Sequence, residues 1–460
     1  MRYIKFFCLF PAFLPLIEIV PWLITAIGFV AAAAGFSLPK LWLKHKYKII
    51  TIVVISILGV ATYYLHPYIN KEIRHEGTRL IEQENHPIAT KYSDSTPVTP
   101  SHTNTFQKLW SAPLEKRALS SPLTDGNLII YGSYTNTVEA ISRSDGRRVW
   151  SLPQSSYVST LSKGPKGRIY AGEGLHSTIL SALTSINPQT GQVHWQREFL
   201  GHLEENYGFS NNEKHLLLSG GPSGIWKITV KDARVLWHQE IGHIDSQPLE
   251  FKNVIYVPTQ EDDNVKRTTL FALNAKTGEV KWKLPQPGQP WGSPRIDKTG
   301  KILLTSTGKG QIGISKPTDK GWAYGVSLDG NVIWQHELPN MPLQPALYIA
   351  DDDMIIHTTK SGMIVALDAN NGAVLWSEDS GDQLLSQSTL ISHLDFSMIA
   401  TTSSEGVFTI RSAKTGKELI RRIVPKDSSS SPVVSGDTIY VMTGFHITAF
   451  GGLSSLKEAK

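Results

Sequence analysis

The chain opens on two long apolar runs and then turns to short ones. Phe6 to Leu38 is almost continuously apolar, broken by Glu18 and by Pro11, Pro15 and Pro21, and Ile49 to Leu65 is 17 residues without a charge. A hydrocarbon core of about 30 Å takes about 20 apolar residues of helix. Two transmembrane helices are therefore predicted, over about 16–38 and 49–66, in a membrane anchor of residues 1–68. The loop between them carries Lys40, Lys44, Lys46 and Lys48 and no acid, which holds it on the cytoplasmic side. Everything after Tyr68 is then delivered outside the cytoplasm, and Trp42, Tyr47, Tyr63 and Tyr64 fall at the interfaces, where aromatic belts form. A cleaved signal peptide fits less well: the region is too long, its first stretch is proline-rich, and no A-x-A-like site follows the second run. Cys8 follows Phe6 and Phe7 rather than small residues, unlike a lipoprotein anchor. Glu18 is either a functional intramembrane carboxylate or an interfacial residue, if residues 1–15 lie along the membrane surface.

Residues 69–105 read as a helical extension followed by a linker. Asn70 to Gln83 has mixed charge, so the second helix is expected to continue into water, and Ala89 to Thr105 is rich in Ser, Thr and Pro. That composition buries too little apolar surface to fold.

Beyond residue 106 the pattern repeats. Tryptophans stand at 110, 150, 195, 237, 282, 334 and 376, with Ile420 at the next equivalent position. The sequence before several of them recurs as ALNAKTGEVKW (272–282), ALDANNGAVLW (366–376) and AISRSDGRRVW (140–150). Gly146, Gly191, Gly278, Gly372 and Gly416 hold the seventh place, whereas Ala233 stands there before Trp237 and the unit ending at Trp334 is two residues short. Eleven or twelve residues later comes a proline, at Pro122, Pro248, Pro294, Pro345 and Pro432, with Ser388 in one unit. Hairpin turns such as TDGN (124–127), KTGK (298–301) and SGD (435–437) follow, each leading into a β-rich run such as LIIY (128–131) or TIYV (438–441). Each unit thus predicts four short antiparallel strands, and radial repetition of such units makes a β-propeller. Each tryptophan is expected to fill the gap between twisted blades, with the small first residue and the glycine making room for the indole.

Counting settles closure. Seven complete units end at Ile420, three strands remain before the chain ends, and Trp110 has a motif strand with none before it. The first and last segments are expected to complete an eighth blade together. The fold prediction is all-β: an eight-bladed propeller of four-stranded blades over 106–453, preceded by the two helices and followed by a tail, 454–460.

Composition removes several functions. A net charge of +5 over 460 residues, part of it in the lysine loop, gives little reason to expect nucleic acid as a partner. Cys8 is the one cysteine, which excludes an intramolecular disulfide and any cysteine-built zinc, haem or iron–sulfur site. No P-loop, nucleophile elbow or dinucleotide fingerprint occurs.

The A-x-D-x-x-T-G-x-x-x-W motif over about 106–452 resembles the pyrroloquinoline-quinone (PQQ) repeat family. The resemblance implies an eight-bladed propeller and two functional branches. One holds quinoprotein alcohol and glucose dehydrogenases, which bind PQQ and a calcium or lanthanide ion in the central funnel. The other holds non-enzymatic propellers, including the lipoprotein of the outer-membrane β-barrel assembly machinery. The propeller here lacks the vicinal cysteines many of those enzymes carry, lacks C-x-x-C-H, and has one long interval, Trp282 to Trp334. These departures favour the second branch: a protein-binding scaffold with no cofactor, anchored in a bacterial inner membrane with its propeller in the periplasm and other envelope or membrane proteins as partners. A PQQ- and calcium-dependent dehydrogenase passing electrons to quinone is the alternative, and a ligand-binding sensor a third reading.

Other constellations read more plainly. Residues 261–264 (EDDN) and Asp351, Asp352 and Asp353 lack the alternating spacing of an EF-hand and fall at expected hairpin turns. His194, His202, His215, His238 and His243 cluster in the second and third units without an H-E-x-x-H or i, i+4 pattern, so no metal site is expected. The long insert 308–322 supplies Lys316, Lys320 and Trp322 as the candidate partner-contact loop.

Overall fold

Short β-rich runs separated by glycine turns can be stable only where neighbours cover both faces, and the computed structural model shows how they are covered. It describes residues 78–94, 105–175, 178–203, 207–260, 267–287, 292–307, 320–342, 344–392, 396–427 and 430–458. The two predicted helices, with Cys8 and Glu18, lie outside these residues. No helix among the described residues is long and apolar enough to cross a membrane.

The unit Thr78–Lys460 contains eight antiparallel sheets, one per blade. After β1 (Thr78–Ile81), β2 (Thr90–Lys91) and β3 (Gln107–Pro113), blade 1 is built in sequence order from β4 (Leu123–Asp125), β5 (Leu128–Gly132), β6 (Thr137–Ser142) and β7 (Arg148–Pro153). The motif tryptophan sits on the last strand, paired with the motif's first residue, Ala140 with Trp150. Six further blades repeat this order, and the eighth is closed by pairing β3 with the last strand, His446–Gly451. The ring thus closes by joining its two chain segments, as the orphan Trp110 strand predicts.

The core is eight slabs rather than one centre. Leu128 and Ile130 pack toward blade 2, whereas their strand neighbours Ile129 and Tyr131 pack toward blade 8. Alternation along a strand sends successive side chains to opposite faces, and here both faces are interior. The remaining slabs repeat this between every adjacent pair of blades.

The segment read as helical extension and linker differs in its described part. Thr78–Ile81 is a strand paired with Val193–Leu200, the outermost strand of blade 2, and Thr90–Lys91 pairs with β7 of blade 1. Its polar composition suits this position: an added edge strand needs backbone pairing more than apolar area. Tyr92 supports it from the side chain, with the Arg148 guanidinium 3.8 Å from its ring centroid.

Candidate functional site

The motif residues form the joints between blades. The indole Nε1–H of each tryptophan donates to a backbone carbonyl of the following blade: Trp110 to Arg143 (3.1 Å), Trp150 to Pro188 (3.1 Å), Trp195 to Val230 (3.0 Å) and Trp237 to Ala275 (3.3 Å). Trp282 donates to Leu328 (3.0 Å), Trp334 to Ala369 (3.0 Å) and Trp376 to Ala413 (2.9 Å). The glycine therefore makes room for the indole of the preceding blade, not for that of its own repeat. Trp110 lies on Gly146, Trp150 on Gly191, Trp237 on Gly278, Trp334 on Gly372 and Trp376 on Gly416, where a Cβ would come within about 3 Å of the ring or its neighbours. Gly330 takes Trp282 in the shortened repeat, a position that counting seven places missed. Ala233 keeps the left-handed turn (φ 56°), and Trp195 bonds to Val230 just before it.

Ile420 breaks the series for a physical reason. The joint it serves faces blade 8, whose last strand is supplied by β3, so the turn that links third to fourth strand and receives the indole in other blades is not formed there. Instead Phe408, Phe450 and Phe106 stack in a row, at 5.4 and 5.5 Å between centroids, with Ile420 and Leu453 in the same slab.

The candidate partner-contact loop is divided. Lys316 lies outside the described residues. Lys320 pairs with Glu337 on the adjacent strand, and Trp322 is half-buried against the slab between blades 4 and 5. Of the acidic runs, 261–264 is outside the described residues, and Asp353 occupies a hairpin turn (φ 48°) where Lys298 pairs with it at 2.6 Å.

Of the five histidines, two meet. Loops that cross from the outermost strand of one blade to the innermost strand of the next carry His202, after Val193–Leu200, and His243 with Asp245, after Val235–Gln239. His243 Nε2 lies 2.9 Å and His202 Nε2 3.9 Å from Asp245 Oδ1, with the rings 5.1 Å apart. His202 is buried; His243 and Asp245 are half-buried. Asp245 was not singled out from sequence, although the H-x-D spacing from His243 was a usable signal. Elsewhere His238 stacks flat on Trp226 at 4.2 Å, and burial holds His194 and His215 below the usual histidine range.

One further histidine carries a pH dependence. His357 is fully buried in blade 6, neither ring nitrogen meets a hydrogen-bond partner among the described residues, and burial, with His336 nearby, pushes its pKa down to about 3. The folded chain keeps it neutral while the unfolded chain protonates it below about 6.5. Stability is thus complete above that pH and falls by about 1.4 kcal/mol per unit between pH 6.5 and 3, reaching a loss of about 2 kcal/mol at pH 5. Urea midpoints measured against pH are expected to flatten in this window for His357→Leu; parallel curves would refute the assignment.

The outer rim differs around the ring. Blades 1 and 2 have their outermost strands covered by β2 and β1, whereas blades 3 to 8 have no fifth strand among the described residues. The open strands of blades 5 and 6 each present two adjacent apolar residues to solvent: Val332 and Ile333 (45% and 53% exposed), and Val374 and Leu375 (50% and 48%).

The family described as outer membrane protein assembly factor BamB matches residues 92–284, 161–316 and 360–452. The chain belongs to this family. An uncharacterised Rickettsia prowazekii protein is 23% identical over 315 residues, covering 65% of this chain and 71% of that one. BamB of Yersinia pestis is 22% identical over 225 residues, covering 43% of this chain and 52% of the Yersinia protein. Among solved structures, BamB from Moraxella catarrhalis matches with a TM-score of 0.55 at 13% identity, covering 76% of this chain and 100% of that one. A quinohemoprotein alcohol dehydrogenase from Pseudomonas putida HK5 matches with a TM-score of 0.54 at 12% identity, covering 79% of each chain. Backbone similarity alone therefore shows the fold and does not separate scaffold from enzyme.

Proposed function

We propose that this chain is a scaffold of the bacterial envelope, anchored in the inner membrane with its propeller in the periplasm, that holds other envelope proteins without a cofactor. Membership of a family named for an outer membrane protein assembly factor supports it. The observation that carries it is the rim: the outer strands of blades 5 and 6, which have no further strand beside them among the described residues, present adjacent exposed apolar side chains. The same type of edge accepts an added strand in blades 1 and 2. Strand addition to such an edge combines main-chain hydrogen bonds with side-chain contacts.

The test is co-purification through the membrane-anchored chain, followed by mass spectrometry, with Ile333→Lys and Leu375→Lys in parallel. Both positions are exposed, so the variants are expected to stay within about 0.5 kcal/mol of the parent in stability. A partner whose recovery falls at least about tenfold in either variant supports the reading, since a desolvated interface charge commonly costs more than 1.4 kcal/mol. Equal recovery with both, or turnover of alcohols or sugars after loading with PQQ and calcium, overturns it.

A further inference from the structure

We infer that His202, His243 and Asp245 form a binding site for a divalent transition-metal ion of the zinc type, set where two blade-to-blade crossings meet. One donor atom from each residue falls within a common span of 4.8 Å. Zinc held at about 2.0–2.2 Å from imidazole and carboxylate donors in a tetrahedron spaces its ligands roughly 3.4 Å apart. The observed separations from Asp245 Oδ1, 2.9 Å to His243 Nε2 and 3.9 Å to His202 Nε2, bracket that value, and with all three donors within 4.8 Å of one another, side-chain rotations of the order of an ångström draw them around an ion. Two imidazoles with one carboxylate select zinc, cobalt, nickel or copper rather than calcium or magnesium, which take mostly oxygen ligands.

The backbone holds the donors in place. His243 and Gln260 exchange both backbone hydrogen bonds at 2.8 Å, and the Ile244 N–H donates to the Gly221 carbonyl at 3.0 Å. His202 lies against Gly221, where a Cβ would come 2.3 Å from its Nε2, so only glycine admits the ring. Gly201 before it has φ 88° and leaves no room for a Cβ beside the Gly220 carbonyl. With His202 buried and the other two donors half-buried, the site remains partly open to solvent. Three protein ligands leave a fourth position there, which a water molecule or a side chain of a bound protein completes.

The experiment is zinc and cobalt titration of the purified, metal-stripped full-length chain, followed by calorimetry, metal analysis and the visible absorption of bound cobalt. One equivalent of zinc with a dissociation constant at or below about 10 μM, a tetrahedral-type cobalt spectrum and a zinc-dependent rise in thermal midpoint are expected. His243→Ala and Asp245→Asn, both half-buried and so compatible with folding, are each expected to weaken binding by at least about 100-fold, the upper end of what losing even an outer partner of a metal ligand costs, whereas His215→Ala is expected to bind as the parent does. The inference is overturned if the parent binds no stoichiometric zinc at 100 μM metal, or if the two ligand variants bind as tightly as the parent. A folded variant, judged by an unchanged circular dichroism spectrum, makes either outcome decisive.

Discussion

Glu250→Ala is expected to destabilise the chain by about 3–5 kcal/mol, the cost of leaving a buried ammonium without its counter-charge. Lys227, in the third strand of blade 3, and Glu250, on the innermost strand of blade 4, are both buried and meet at 3.1 Å across the joint. The Lys227 ammonium also donates to the Ala275 carbonyl at 2.7 Å, the same oxygen that receives the Trp237 indole. The joint is thus wired for a charge on both sides. The double variant Lys227→Met/Glu250→Leu is expected to recover most of the loss, since apolar residues of similar volume can replace a buried pair at little net cost. Chemical unfolding of the full-length chain in detergent measures both. A single variant as stable as the parent, or a double variant no better than the single, contradicts this account.

Trp150→Ala is the second large effect, about 3–5 kcal/mol, because it opens a cavity in a slab that cannot collapse. Trp150 is fully buried, lies on Gly191 and bonds to Pro188, and Ala89 closes over it from the N-terminal strap, the segment 78–94 that carries β1 and β2. Trp376 makes the equivalent bond to Ala413 but is only half-buried, so Trp376→Ala is expected to cost clearly less. Thermal midpoints of the two variants give the order directly, and the reverse order would show that the strap adds nothing to the first joint.

Blade number and closure were legible because they depend on a local pattern that repeats. A tryptophan, a glycine and a proline at fixed offsets set the strand order within a repeat, and Trp110 without a blade of its own forced the join with His446–Gly451. Which glycine serves which tryptophan was not legible, since the partners lie in different repeats and only the assembled ring places Trp150 on Gly191 rather than on Gly146. β1 and β2 were hidden for a related reason: a strand that adds to an outside edge needs no apolar alternation, and Thr78–Lys91 shows none. The histidine pair was obscured by the same distance. His202 stands seven residues after Trp195 and His243 six after Trp237, near-equivalent places in successive repeats, so adjacent blades bring together what the chain separates.

The strap also sets the mechanics of the unit. From Thr78 the chain touches blade 2, then blade 1, then blade 8, opposite to the order of its repeats. A tensile load entering at Thr78 meets the four paired residues of β1 first, then the two of β2, and only then the seam strand β3. Releasing the first two leaves every blade with its own four strands. Residues 78–106 can then extend to at most roughly 100 Å, at about 3.5 Å per residue. If the chain is pulled from its N-terminal side, as the proposed anchoring would do, it lengthens in two small steps, as a sacrificial coupling does, while the ring stays shut.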